Sequence, residues 1–266
     1  LSCVDHRYTK KQTLRIEPFC FSFIIAETGQ ICNRVFAKTL AFSRRRAYYI
    51  CIFFRTYFVQ SCRRSAVRPN MTLSEEKNLQ RKAGIAARRA LPDAARDAAN
   101  AALCAHLAAL PAFARAKTLL VYAAFGGEAD LAALIRQAEQ AGKTVAYPIC
   151  GTGFALTAAV PGSDGWEIGA YGIRTPIASR ARILRPEELD LVLVPCTAFD
   201  AACRRVGMGK GYYDRYLPRC QNAVTIGVAF DCQRVEHAAS GTLDAVLDAF
   251  ATEKGVYCHG TDPTTL

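Results

Sequence analysis

Between residues 118 and 251, short apolar runs alternate with helix-length segments, and this rhythm narrows the possible folds more than any other feature of the chain. The clearest run covers residues 189–194. It is broken only by Asp190 and is otherwise apolar at odd and even positions alike, as expected of a strand covered on both faces. Further strands are predicted over 118–123, 143–148, 223–230 and 245–251. Helices are predicted over 73–91, ending before Pro92, and over 93–110, with Asp93 as N-cap. A third covers 129–141 and stops at Gly142, and a short one starts at Tyr212 and reaches Arg219. The Gly-rich stretch 151–172 reads as a hairpin. Strand–helix alternation of this kind predicts an α/β fold: three layers around a doubly wound, mostly parallel, Rossmann-like sheet.

Charge divides the chain in two. Residues 1–70 hold 13 Lys+Arg against 3 Asp+Glu, and the rest holds 21 against 20, so the formal net charge of +11 belongs almost wholly to the first segment. That segment also carries 12 of the 25 Phe+Tyr residues and no methionine. Met71 then precedes a capping box, Thr72-Leu-Ser-Glu75. The first segment is therefore expected to be a leader. Either it is an Arg-rich, acid-poor targeting peptide or, as the abrupt change at Met71 favours, it comes from upstream of the true start and is disordered. Its apolar stretches, 19–26 and 47–54, are shorter than the roughly 20 residues that span a bilayer. The body's seven cysteines include no C-x-x-C pair, which points to reduced structural thiols and a cytoplasmic protein. Cys258 beside His259 is read as part of a frayed tail rather than a metal pair.

The chemistry should lie where the 189–194 strand ends at Pro195. Arg205-Val-Gly-Met-Gly-Lys-Gly-Tyr-Tyr-Asp-Arg215 follows, with Gly207, Gly209 and Gly211 at alternate positions. Glycines let backbone amides approach a ligand, and amides leading into a helix start make an anion cradle. Arg205 and Lys210 add positive charge, and Asp214 offers the hard oxygen that magnesium prefers. The loop is neither a Walker A sequence nor G-x-G-x-x-G. On spacing alone it could equally be a turn. Lys77, Arg81 and Arg88 share a face of the first helix, and a solvated basic face is the ordinary reading of such a set, with a phosphate contact the alternative. Glu128, after Tyr122-Ala-Ala-Phe-Gly-Gly, would either grip the amide-like edge of a heterocycle or serve as a helix N-terminal acid. Asp244 alone would pass for a turn residue.

Taken in order, these elements resemble the 5-formyltetrahydrofolate cyclo-ligase family over roughly residues 77 to 253. The opening K-x-x-x-R is Lys77 and Arg81. E-x-[DE]-T is Glu128-Ala-Asp-Leu131, with Leu in place of Thr. L-V-P-x-x-A-F-D is Leu193-Val-Pro-Cys-Thr-Ala-Phe-Asp200. R-L-G-x-G-x-G-Y-Y-D-R is the stretch from Arg205 to Arg215. The closing pattern is met by Asp244, Leu247, Asp248, Thr252 and Glu253. Departures stand at Cys196, at Thr175 where the family often has Glu, and at Met208 where an aromatic is common.

The resemblance implies an ATP- and magnesium-dependent ligase. It would cyclise 5-formyltetrahydrofolate to 5,10-methenyltetrahydrofolate through a phosphorylated formyl group. Lys77 and Arg81 would hold ATP phosphates. Arg205, Gly207, Met208, Gly209, Lys210, Gly211, Tyr212 and Tyr213 would wrap the phosphates and the reacting formyl group, with Lys210 and Arg205 nearest the transfer. Glu128, Tyr212 and Tyr213 would bind the folate, and Asp214 and Asp244 the magnesium. The chain is further expected to be a monomer without nucleic-acid or membrane partners. Two alternatives stand beside it: a non-catalytic folate- or nucleotide-binding relative, and a nucleic-acid-associated protein using the basic leader.

Overall fold

The computed structural model describes residues 71–260 and 262–266. The expectations for residues 1–70 lie outside the described residues. Helix α1 (Leu73–Arg89) starts as its sequence predicts: the Thr72 side chain accepts from the Glu75 amide, and Glu75 accepts from the Thr72 amide. It stops two residues short of the expected end because Pro92 disfavours helical backbone just before it. Helix α2 (Asp93–Ala108) corrects one expectation. Its N-cap is Pro92, in extended backbone, and Asp93 is the first helical residue, paired with Arg96 at 3.1 Å. An acid in the first turn still complements the positive end of the helix.

After the short α3 (Pro111–Arg115) come β1 (Thr118–Leu120), α4 (Ala132–Gln140), β2 (Thr144–Cys150) and β3 (Leu156–Val160). β4 (Trp166–Ile168) and β5 (Arg174–Pro176) form a separate antiparallel ladder, and β6 (Arg182–Leu184) pairs with β3. Then follow β7 (Leu191–Pro195), a small ladder of β8 (Ala198–Phe199) with β9 (Arg205–Val206), and α5 (Tyr212–Tyr216). The chain closes with β10 (Val224–Val228), β11 (Ala249–Thr252) and β12 (Gly255–Cys258).

The main sheet has eight strands in the order β12-β11-β10-β7-β1-β2-β3-β6. The five central strands, β11 to β2, run parallel, and the flanking pairs are antiparallel. β7 explains the apolar run. Leu191 and Leu193 pack into one core with α2 and α4, while Val192 and Val194 pack into a second core on the opposite face with Tyr216 and Leu217. The second core holds a stacked pair, Phe199 and Phe250, with ring centroids 4.5 Å apart. Cys258 is not in a frayed tail: it lies in β12 opposite Ala249, so backbone pairing fixes it. Among the described residues no group of three or more His, Cys, Asp or Glu forms a metal cluster, and no helix is long and apolar enough to cross a membrane.

Candidate active site

The parallel strands reverse their direction of progression between β1 and β7. From β1 the chain steps to β2 on one side, then returns to β7 on the other. Loops diverge at such a point and leave a crevice beyond the carboxyl ends of the strands. The loop after β1 brings Glu128 to this crevice. The segment after β7 brings the β8–β9 ladder, the glycine loop and α5. Helix α1 crosses above both.

The closeness of α1 depends on one glycine. A Cβ on Gly84 would lie 1.7 Å from the Thr197 carbonyl oxygen, so the helix backbone rests directly on the chain leaving β7. This approach puts three cations of one helix face over the crevice. Lys77 bonds Asp244 at 2.5 Å, across 167 residues of sequence. Arg81 donates from Nε to the Gly207 carbonyl at 2.8 Å. Arg88 is 2% exposed, which overturns the solvated-face reading for this residue. It donates to the carbonyls of Gly126 and Cys196, both at 3.2 Å.

In the glycine loop, Gly209 and Gly211 have φ of +92° and +69°. L side chains are strained there, so these two glycines are needed for conformation as well as space, whereas an added Cβ at Gly207 would meet nothing within 4 Å. The carbonyls at the two ends of the loop are taken: Arg81 holds that of Gly207, and Arg215 holds those of Lys210 and Gly211, both at 3.0 Å. Among the described residues no acceptor engages the amides of Met208, Gly209 or Lys210. The side chains of Met208 and Lys210 are exposed.

Asp214 and Asp244 come together through the backbone of Ala245. Its amide donates to Asp214 Oδ1 at 3.1 Å, and its carbonyl accepts from Arg205, which also bonds Asp214 Oδ1 at 2.9 Å. Burial alone would raise the Asp244 carboxyl. The Gly241 amide, the bond from Lys77, and the charges of Lys77 and Arg205 outweigh burial and hold it below the ordinary aspartate range.

Glu128 is not a helix N-terminal acid, because α4 begins only at Ala132. Its Oε2 accepts from the Phe125 amide at 3.2 Å, and its Oε1 lies 3.5 Å from Arg88. Desolvation raises its carboxyl above the usual value, with Arg88 opposing. The Tyr213 hydroxyl is buried without a hydrogen-bond partner, and Cys150, Glu128 and Arg205 act on it electrostatically. Tyr212 donates to the Gly151 carbonyl at 3.4 Å and meets Phe154 edge-on, with 5.9 Å between ring centroids. Burial pushes the Cys196 thiol up to about 12, despite Arg205 and Arg88, so it stays protonated and is no nucleophile.

Residues 73–253 match the 5-formyltetrahydrofolate cyclo-ligase family. The chain belongs to that family. It is accordingly a ligase of the cyclo-ligase class. The 5-formyltetrahydrofolate cyclo-ligase of Escherichia coli strain K12 is 33% identical over 152 residues, which cover 55% of this chain and 84% of that one. The Haemophilus influenzae cyclo-ligase is 31% identical over 138 residues, covering 50% and 74%. The NMR structure of the Aquifex aeolicus 5,10-methenyltetrahydrofolate synthetase superposes with a TM-score of 0.62 at 30% identity, covering 70% of this chain and 94% of that one. The Mycoplasma pneumoniae synthetase structure shares the fold, with a TM-score of 0.56 at 22% identity, covering 66% and 98%.

In this cyclo-ligase the sequence-predicted residues Lys77, Arg81, Arg205, Gly207 to Tyr212, Asp214 and Asp244 gather at the mouth of the crevice. Glu128 and Tyr213 lie on its inner side. Three features were missed: the packing of Gly84, the buried bridge of Arg88 and the backbone link at Ala245. Gly84 carried a signal, since a glycine inside a helix and on the face of the three cations invites a packing explanation.

Proposed function

We propose that this cyclo-ligase converts 5-formyltetrahydrofolate to 5,10-methenyltetrahydrofolate with ATP and magnesium, releasing ADP and phosphate. The observation that carries the reading is the loop from Gly207 to Gly211: arginines hold the carbonyls at its two ends, the amides of Met208, Gly209 and Lys210 are free among the described residues, and Glu128 and the unpartnered Tyr213 hydroxyl belong to the same site. The loop suits a phosphate chain and the pair a polar heterocycle.

The residues fit both parts of a metal–nucleotide pair. Free amides, Lys210 and the outer face of Arg81 suit the phosphates. Asp214 takes protein donors at Oδ1 and Asp244 at Oδ2, which leaves one oxygen of each open to a hard cation. Magnesium held there would supply charge neutralisation on the phosphates.

The reaction divides into two displacements. The formyl oxygen on the pterin-ring nitrogen takes the terminal phosphoryl group of ATP, and ADP leaves. The neighbouring side-arm nitrogen then attacks the formyl carbon, loses its proton, and expels phosphate as the bridge closes. Neither step needs a side-chain nucleophile. Lys210 neutralises charge on the moving phosphoryl group, Arg205 fixes Asp214, Tyr212 and Tyr213 wall the reacting centre, and Glu128 orients the pterin. The test is the full chain with 5-formyltetrahydrofolate, followed by the near-ultraviolet absorbance of the methenyl product. Product that needs both ATP and magnesium supports the reading. Folded protein that binds ATP and makes no product overturns it in favour of a non-catalytic relative.

A further inference from the structure

Arg88 stands outside the machinery just described, yet it is 2% exposed at the centre of the crevice. Its guanidinium bridges the two loops that diverge at the switch point. Nε and Nη2 reach the carbonyls of Gly126 and Phe125 after β1, at 3.2 and 3.5 Å, while Nη1 reaches the Cys196 carbonyl after β7 at 3.2 Å. The same Nη2 lies 3.5 Å from Glu128 Oε1, whose side chain is 12% exposed. The turn from Phe125 to Glu128 has both central glycines at positive φ, +58° and +80°, the pattern of a type I′ turn. Its backbone holds one oxygen of Glu128, the Phe125 amide donating to Oε2 at 3.2 Å, and leaves Oε1 without a backbone donor. Arg88, gripping two carbonyls of the turn and lying beside Oε1, fixes the second oxygen and so completes the orientation of the carboxylate.

We infer that Arg88 is a positioning residue for folate: it holds Glu128 against the pterin and ties that turn to the strand end that launches the glycine loop. The inference rests on the assignment of Glu128 to the substrate. The groups facing Glu128 are Arg88 from α1, Tyr122 from the end of β1, Cys196 from the end of β7 and Tyr213 from α5. Both phenols and the thiol are pushed up by burial and are neutral near pH 7, so Arg88 alone among them supplies positive charge. Lysine would keep that charge but not the planar fork that serves two loops at once.

The test uses the full chain and five proteins: wild type, Glu128→Gln, Arg88→Met, Arg88→Lys and Arg88→Met with Glu128→Gln. KM for 5-formyltetrahydrofolate and for ATP is measured for each across about pH 6 to 8, with near-ultraviolet dichroism to establish the fold. Arg88→Met is expected to raise the folate KM about ten-fold and to change the ATP KM less than about two-fold. Its folate KM should also climb as the pH falls, because an uncompensated buried carboxylate takes up a proton. Arg88→Lys should keep the pH profile of the wild type with an intermediate folate KM. On the Glu128→Gln background, Arg88→Met should add almost nothing.

A raised folate KM in Glu128→Gln, together with additive effects in the double variant or an equal rise in both KM values for Arg88→Met, overturns the inference while leaving the Glu128 assignment intact. An unchanged folate KM in Glu128→Gln overturns the assignment itself. Should Arg88→Met fail to fold, Arg88→Lys decides: a folate KM equal to wild type rejects the role, and a selective rise supports it.

Discussion

Two effects of opposite sign meet at Gly84. Alanine there would gain about 1 kcal/mol of helix propensity. The new methyl would also land 1.7 Å from the Thr197 carbonyl oxygen, and backbone cannot step aside as a side chain can. Overpacking of that kind costs about 3 kcal/mol, so Gly84→Ala should be destabilising by about 2 kcal/mol. Urea denaturation checks the sign: a stabilised variant would mean that α1 can lift off the sheet. Lys210 is the opposite kind of residue, exposed and on a loop. Lys210→Ala should leave the melting temperature within about 2 °C of wild type. It should lower turnover about 100-fold or more if it neutralises the migrating phosphoryl group, and near-normal turnover would remove it from that role. For Lys77, Arg81 and Arg88 the helical spacing foretells a common face but not its depth. The sequence does not say that one cation meets a carboxylate, the second a carbonyl, and the third disappears into the protein.

At the scale of elements, legibility needed burial and length together, since the two-residue β8 and β9 are buried and still left no pattern. β7, β10 and β11 lie inside the sheet with neighbours on both edges, so their composition is apolar and their positions readable. The predicted strands ran two to four residues long at some ends, as with 118–123 against Thr118–Leu120, where the buried Val121 and Tyr122 carry the apolar pattern into a loop. β6, β8, β9 and β12 left no such mark. They are two to four residues long, and all four residues of β12 are only partly buried. β12 still matters. Tyr257 faces one core, Val256 and Cys258 the other, and the strand covers the free edge of β11. Ending the chain after Lys254 should therefore cost about 3 kcal/mol. A drop in melting temperature of several degrees is expected, and an unchanged melting curve would show that the sheet ends at β11.

For the whole molecule, the carboxylates set the acid limit. Asp200, Asp231 and Asp244 would each be raised by burial, but neighbouring cations hold all three below the ordinary value of 3.8, helped by amide donors at Asp200 and Asp244 and by the Tyr257 hydroxyl at Asp231. A depressed carboxyl stabilises the fold above its unfolded pKa, and the contribution is lost as pH falls through the folded value. Glu128, raised by desolvation, has the reverse sign: it favours the fold slightly as pH drops from neutrality. Urea midpoints should therefore change little from about pH 7 to 5, and fall by the equivalent of about 1–3 kcal/mol from about pH 5 to 3. A flat profile to pH 3 would mean that the aspartates are not engaged in solution. The paired charges also bear on how a guest arrives. Lys77 already faces Asp244, Arg205 already faces Asp214, and residues 71–266 hold 21 Lys+Arg against 20 Asp+Glu. Arg81 and Lys210 have no acidic partner among the described residues, so the positive field that greets a triphosphate is local to the loop. Added salt should therefore slow the encounter only modestly, while a nucleotide that engages the aspartate-held cations must trade partners at contact distance, with selectivity residing in how slowly the bound guest escapes.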